Sequence, residues 1–153
     1  MAIEFIVEDW TGKSDSTSYG SVAEYKQWLE NRGEVTTMTD DEIKAKLNVA
    51  TEFIDSLSFV GAKTSSNNSL EWPRYGILNT TAAKQQSNIK KAMFYAALHQ
   101  EDLFKVNDGL VSYSYGPVSK TYNSSQPNNN RFVYINKILK NYLVHDSGLM
   151  RVN

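Results

Sequence analysis

Thr39-Asp40-Asp41-Glu42-Ile43-Lys44-Ala45-Lys46-Leu47-Asn48-Val49-Ala50-Thr51-Glu52-Phe53-Ile54-Asp55-Ser56-Leu57 decides the class of this fold. Thr39 and Glu42 stand in the spacing of a capping box, in which hydroxyl and carboxylate each satisfy an amide that the first turn leaves without a partner. Three acidic residues sit where the positive end of the helix dipole favours them. Ile43, Leu47, Ala50, Phe53, Ile54 and Leu57 then repeat at helical spacing, which predicts a helix over residues 40–58 with one apolar stripe. A stripe of that width needs other helices to cover it, and the flanking sequence offers three.

Upstream, Ser21-Val22-Ala23-Glu24 is a second capping box; Val22, Tyr25, Trp28 and Leu29 follow on one face, and Gly33 falls at a left-handed C-cap, which predicts a helix over 22–32. Downstream, Thr81 caps a helix over 82–105 whose Ile89, Ala92, Met93, Ala96 and Ala97 make a face of small residues suited to close helix approach. Phe132, Val133, Ile135, Ile138, Leu139 and Tyr142 predict a fourth over 130–143. Residues 3–7 read as a short strand or extended arm, and Val111, Tyr113 and Tyr115 alternate with Ser up to Gly116-Pro117, after which Val118, Lys120 and Tyr122 alternate again. That period of two predicts a β-hairpin over 110–122. The expected architecture is mainly α: a four-helix domain with a short N-terminal strand and a β-hairpin between helices three and four. The domain spans 1–143, and 144–153 is a C-terminal tail too short to fold alone.

The connectors are polar, with one exception. Residues 11–20 and 123–130 are linkers by composition, whereas Ser69-Leu70-Glu71-Trp72-Pro73-Arg74-Tyr75-Gly76 places an indole inside the 61–80 connector. Pro73 fixes its own backbone and biases Trp72 toward an extended conformation, while Arg74 brings a planar five-donor head. Leu70, Trp72, Pro73 and Arg74 are therefore expected to form a structural anchor, with Leu70 and Trp72 buried against helices two and three; an aromatic that binds ligand is the alternative.

At 153 residues and 41% apolar the chain is sized for one domain with a real core. No stretch approaches the roughly 18 apolar residues of a membrane helix. Acidic Glu4, Glu8 and Asp9 stand where an export signal is basic, so secretion is not expected, and the sequons at Asn67, Asn79 and Asn123 read as chance. The absence of cysteine excludes disulfides, thiolate metal sites and a Cys nucleophile.

The catalytic inventory is thin. His99 and His145 are the only imidazoles, and neither has a partner at zinc-ligand spacing. Glu101 and Asp102 are adjacent, which on a helix points them apart. No Gly-x-Ser-x-Gly elbow, Rossmann fingerprint or P-loop occurs. No cofactor, metal or enzymatic activity is expected.

Net charge is −1, yet unevenly spread: residues 1–60 carry five basic against twelve acidic side chains, a net −7, and residues 116–153 carry five against one, a net +4. Such ends are complementary, which suits a head-to-tail contact between copies in which the acidic half of one meets Lys120, Arg131, Lys137 or Lys140 of the next. Lys90 and Lys91 beside Phe94 and Tyr95, with nine Tyr in all, offer the elements of a stacking surface for nucleic acid. On a helix the same pattern is ordinary interleaving of core and solvated faces, and a near-neutral chain lacks the basic stripe that phosphate binding relies on.

Phe5-Ile6-Val7-Glu8-Asp9-Trp10-Thr11-Gly12, Ser18-Tyr19-Gly20-Ser21-Val22-Ala23-Glu24 with Arg32-Gly33, Ala50-Thr51-Glu52-Phe53-Ile54-Asp55, the Trp72-Pro73-Arg74 element and Tyr115-Gly116-Pro117-Val118-Ser119-Lys120-Thr121-Tyr122 form an ordered series. In order and spacing it resembles the tailed-bacteriophage head–tail connector (adaptor, or head-completion) proteins, a group sometimes labelled DnaT-like single-stranded DNA-binding. Trp10, where Gly is common, and the Asn/Ser-rich insertion before Arg131 depart from the pattern. The resemblance implies a structural role without a reaction: a dodecameric ring under the portal, in the neck of the virion and in host cytoplasm during assembly. The ring would extend the DNA channel, let packaged double-stranded DNA pass without specific binding, and dock the next neck or tail protein. It also implies that the C-terminal segment reaches the portal protein, which gives Tyr142, Leu143, Leu149, Met150 and Val152 as portal-binding residues. The alternatives are a replication-associated single-stranded DNA-binding protein and, more remotely, a small enzyme with an unrecognised site.

Overall fold

The computed structural model describes residues 2–100 and 133–144. The fold is mainly α. It comprises α1 (Val22–Asn31), α2 (Asp40–Asp55), a small antiparallel pair formed by β1 (Ala62–Lys63) and β2 (Arg74–Tyr75), α3 (Ala82–Leu98) and α4 (residues 133–139). Both expected capping boxes are present, with the amides of Glu24 and Glu42 donating to the Ser21 and Thr39 hydroxyls and the two carboxylates accepting from the cap amides. Thr81 accepts from Lys84 N and starts α3.

The stripes meet as their spacing demands. Ile43, Leu47, Ala50 and Ile54 of α2 pack with Ile89, Ala92, Met93, Ala96 and Ala97 of α3, and all nine are inaccessible to solvent. The alanines bring the two backbones close, and Thr51, buried among them, points its hydroxyl at Met93 Sδ at 3.0 Å. Tyr25 and Leu29 from α1 and Ile135 and Leu139 from α4 complete the core. Each of the large side chains contributes roughly 1.5–3 kcal/mol by leaving water. Phe53 and Leu57 are only half-buried, at the edge of the stripe.

Three helix ends fall short of expectation by three residues or more, each for a local reason. α2 stops at Asp55 because the Ser56 hydroxyl bonds back to Phe53 O at 2.6 Å and the chain turns to carry Phe59 inward. α3 ends at Leu98, where His99 leaves helical geometry at φ −109°, ψ 34°. α4 gives way to a turn over residues 140–142, in which Tyr142 N bonds Leu139 O at 2.7 Å, and Leu143 then pairs antiparallel with Phe59. α1 ends one residue early, with Gly33 at φ 78° as its position predicts.

The N-terminal segment is an extended arm with a single parallel bridge, Val7 to Ser18, in place of a regular strand. The 11–20 stretch, a linker by composition, is folded instead around buried Glu8, whose carboxylate accepts from Gly12 N (2.7 Å), Lys13 N (3.1 Å) and Ser16 Oγ (2.8 Å). Gly12 is required there: it has φ 87°, and a Cβ would lie 2.5 Å from Asn68 Oδ1. Trp10, the departure from the usual Gly, also takes a left-handed φ of 74°, the conformation that Gly adopts without cost. The described β pair lies in the 61–80 connector; the hairpin expected over 110–122 falls outside the described residues.

Candidate functional site

Trp72 is the centre of the connector and has no exposed surface. Its ring partners come from loops: Trp10 stacks at 6.1 Å, while Phe59 and Tyr142 meet it edge-on, each at 5.3 Å. Burial of Trp72 and Leu70 is as expected, although these ring partners lie outside α2 and α3. Pro73 is buried beside it, joined by a cis peptide bond.

Arg74 draws the connector shut. Its guanidinium donates to the carbonyls of Val60 (2.9 Å), Gly61 (3.0 Å), Phe59 (3.3 Å) and Glu71 (3.3 Å), and to Glu71 Oε1 at 2.8 Å. With 8% of the side chain exposed, that planar fork serves four backbone carbonyls and is not available to a phosphate.

A second network runs beneath the indole. Trp72 N donates to Tyr19 Oη at 3.0 Å, Tyr19 donates to Asp55 Oδ1 at 2.5 Å, and Glu71 N donates to Asp55 Oδ2 at 3.3 Å. Desolvation raises the Asp55 carboxyl from 3.8 to about 7, with the Glu71 charge adding and the Tyr19 and Glu71 donors opposing. Burial first, then the Asp55 charge, pushes the Tyr19 phenol well above its ordinary range. Asp55 also lines a cleft of about 550 Å³ between the N-terminal arm and α2, with Ile3, Glu4, Asn48, Glu52 and Leu70 among its walls. Among the described residues three carboxyl groups and no Lys or Arg line this space, an arrangement that disfavours a phosphate backbone. Among the described residues no group of His, Asp or Glu is placed to hold a metal.

A further concentration of aromatic and basic groups gathers where α1, α3 and α4 meet. Arg32 lies 4.7 Å above the Trp28 ring and 5.4 Å from Tyr95, and Tyr95 touches His99 at 5.1 Å and Tyr134 at 4.8 Å. The interleaving expected of α3 is present: Phe94 is buried, Lys91 exposed, and Lys90 pairs with Glu24 at 2.8 Å. Tyr134 is 44% exposed, so a flat base or ring has a platform to stack on.

Over residues 3–153 the chain matches the family model described as "Putative DnaT-like ssDNA binding protein". The chain belongs to this DnaT-like family. No curated protein and no solved structure matches it.

The other expected site residues of this DnaT-like chain divide as follows. Tyr142 does not stand free for a partner: it is buried against Trp72, and its hydroxyl accepts from Asn88 Nδ2 at 2.8 Å. Leu143 is half-buried, its backbone bridged to Phe59. Lys137 and Lys140 are on the exposed side of α4 and of the turn after it. Lys120, Arg131, Leu149, Met150 and Val152 lie outside the described residues. Sequence reasoning missed Glu8, Tyr19, Asp55 and Phe59 as nodes of the connector lattice. Glu8, Tyr19 and Asp55 were signalled only by their place in the ordered series and Phe59 by no pattern, since a side chain outside a periodic stripe reveals a buried role only when distant segments close over it.

Proposed function

We propose that this chain is a structural head-to-tail adaptor of a tailed phage: a ring-forming protein under the portal that extends the DNA channel and docks the next neck or tail protein. One observation carries the reading. The residues of the ordered series that resembles the adaptors are spent on fixing shape: Glu8 folds the 9–16 loop, Tyr19 and Asp55 brace Trp72, and Arg74 closes the connector. A domain whose distinguishing side chains lock loops into one rigid body suits a part that must present constant surfaces to neighbours. Its partners on this reading are the portal protein, the next neck or tail protein and further copies of itself. Packaged double-stranded DNA passes through the lumen, and the protein is located in the virion neck.

The family's description speaks directly for a second reading, single-stranded DNA binding, and the Trp28–Arg32–Tyr95–Tyr134 face gives it a place. Against it stand the net −7 of residues 1–60 and the carboxylate-lined cleft. Electron microscopy and native mass measurement of the chain, alone and with a portal protein, test the adaptor reading, which expects rings. Oligonucleotide anisotropy across a salt series tests the other. Tight, salt-sensitive binding without any assembly would replace the first reading by the second.

A further inference from the structure

The two ends of α2 carry surfaces of opposite character. At its N-terminal end the α1–α2 link raises Val35, 90% exposed, beside Lys26, Glu30 and Glu34 and next to the acidic first turn of α2; Lys26 pairs with Asp40 at 2.8 Å and Arg32 with Glu34 at 3.8 Å, so the rim keeps a net negative charge through Glu30. An aliphatic side chain presented so fully to water has no partner among the described residues. At the other end, Leu143 and Val144 bond back to residues 58–59, just past the α2 C-terminus, and together with Val133 they form the apolar floor of a groove of about 400 Å³. Lys137 and Lys140 line that groove, and Val133 and Val144 are 38% and 45% exposed.

An apolar knob on a rim of net negative charge at one end thus matches an apolar groove lined by ammonium groups at the other. Sixteen helical residues at 1.5 Å rise separate the ends by about 24 Å, so a single copy cannot seat its own knob. We infer that Val35 of one copy inserts into the Val133–Leu143–Val144 groove of the next, with Glu30 and Glu34 facing Lys137 and Lys140. The inference rests on the ring reading above and gives it a residue-level contact. The contact is heterologous, and repeated it closes into a ring or runs on as a filament according to the rotation between copies.

Absence of cysteine from the chain makes the test direct. Val35→Cys and Val144→Cys, both at exposed positions, are mixed at high concentration under mild oxidation. The mixture is expected to cross-link, and each variant alone to cross-link far less. A double variant gives a ladder of multimers, because a disulfide cannot span its own two ends when it needs Cα atoms within about 7 Å. Lys137→Glu with Lys140→Glu should slow the mixed reaction by about tenfold, since rim charges act chiefly on encounter, and Glu30→Lys with Glu34→Lys in the partner should restore it. Cross-linking of Val35→Cys with itself as fast as the mixture would mean a two-fold contact and overturn the inference. Rings that form without the mixed cross-link would overturn it and leave the ring reading standing. Neither cross-link nor assembly at any concentration, alone or with a portal protein, would remove both.

Discussion

Trp72→Ala is the most exacting perturbation of this fold, because the indole is fully buried and its ring is shared by the N-terminal arm, the connector and the segment after α4. Truncating a buried Trp costs about 3–5 kcal/mol. Three ring contacts, each worth roughly 0.5–1.5 kcal/mol beyond area, place this case toward the top of that range. For a domain of this size the melting temperature should fall by roughly 10–15 °C. Trp72→Phe separates volume from polarity. The indole Nε1 has no hydrogen-bond partner among the described residues, and an unsatisfied buried donor costs about 1–3 kcal/mol, so phenylalanine removes a penalty while it removes contacts. Its net cost should be no more than about 2 kcal/mol, well below that of alanine. Urea unfolding followed by far-ultraviolet circular dichroism measures both without relying on the fluorescence being altered. Equal losses for the two variants, or an alanine variant as stable as the parent, would refute the view that ring packing at this position holds the connector to the helices.

Arg74→Lys keeps the charge but loses the planar fork that serves four carbonyls, so it should destabilise by about 2–3 kcal/mol in urea titration, close to Arg74→Ala; near-parental stability would show that charge alone suffices. The raised carboxyl of Asp55 sets a pH dependence with a definite sign: the folded state holds that proton more tightly than the unfolded chain, so its contribution is full below about 4 and is lost as pH rises toward about 7, amounting to roughly 4 kcal/mol at the outside. Asp55→Asn should flatten this part of the stability–pH curve relative to the parent, and an unchanged difference between pH 4 and 7 would count against the buried-carboxyl account. Free oligonucleotides should bind no tighter than generic contact, with Kd weaker than about 10⁻⁶ M at physiological salt; a tighter complex weakened by Trp28→Ala or Arg32→Ala in anisotropy would establish the aromatic face as a nucleic-acid site.

Sequence alone determined what depends on neighbours along the chain. The capping boxes at Ser21 and Thr39, the stop at Gly33 and the apolar stripes of α2 and α3 are local patterns, and a helix with one apolar face specifies both its own start and the need for a partner. The anchor at Trp72 was legible as well, because an indole locked by proline inside a polar connector has few uses other than burial. Tertiary structure decided what depends on segments far apart. Glu8 became a buried loop organiser only when Gly12, Lys13 and Ser16 folded around it, and the Asp55 carboxyl was raised only when the fold took it out of water, with Tyr19 and Glu71 meeting it from positions 36 residues before and 16 after. Tyr142 reads as the end of an amphipathic helix that extends toward a partner, yet the turn over residues 140–142 swings it back onto Trp72. A polar side chain or a terminal aromatic carries no period of its own, so its role is fixed by what closes over it. Hydrophobic spacing encodes which face of a helix is inside, whereas the desolvation of a carboxylate and the fate of an exposed valine belong to the assembled surface.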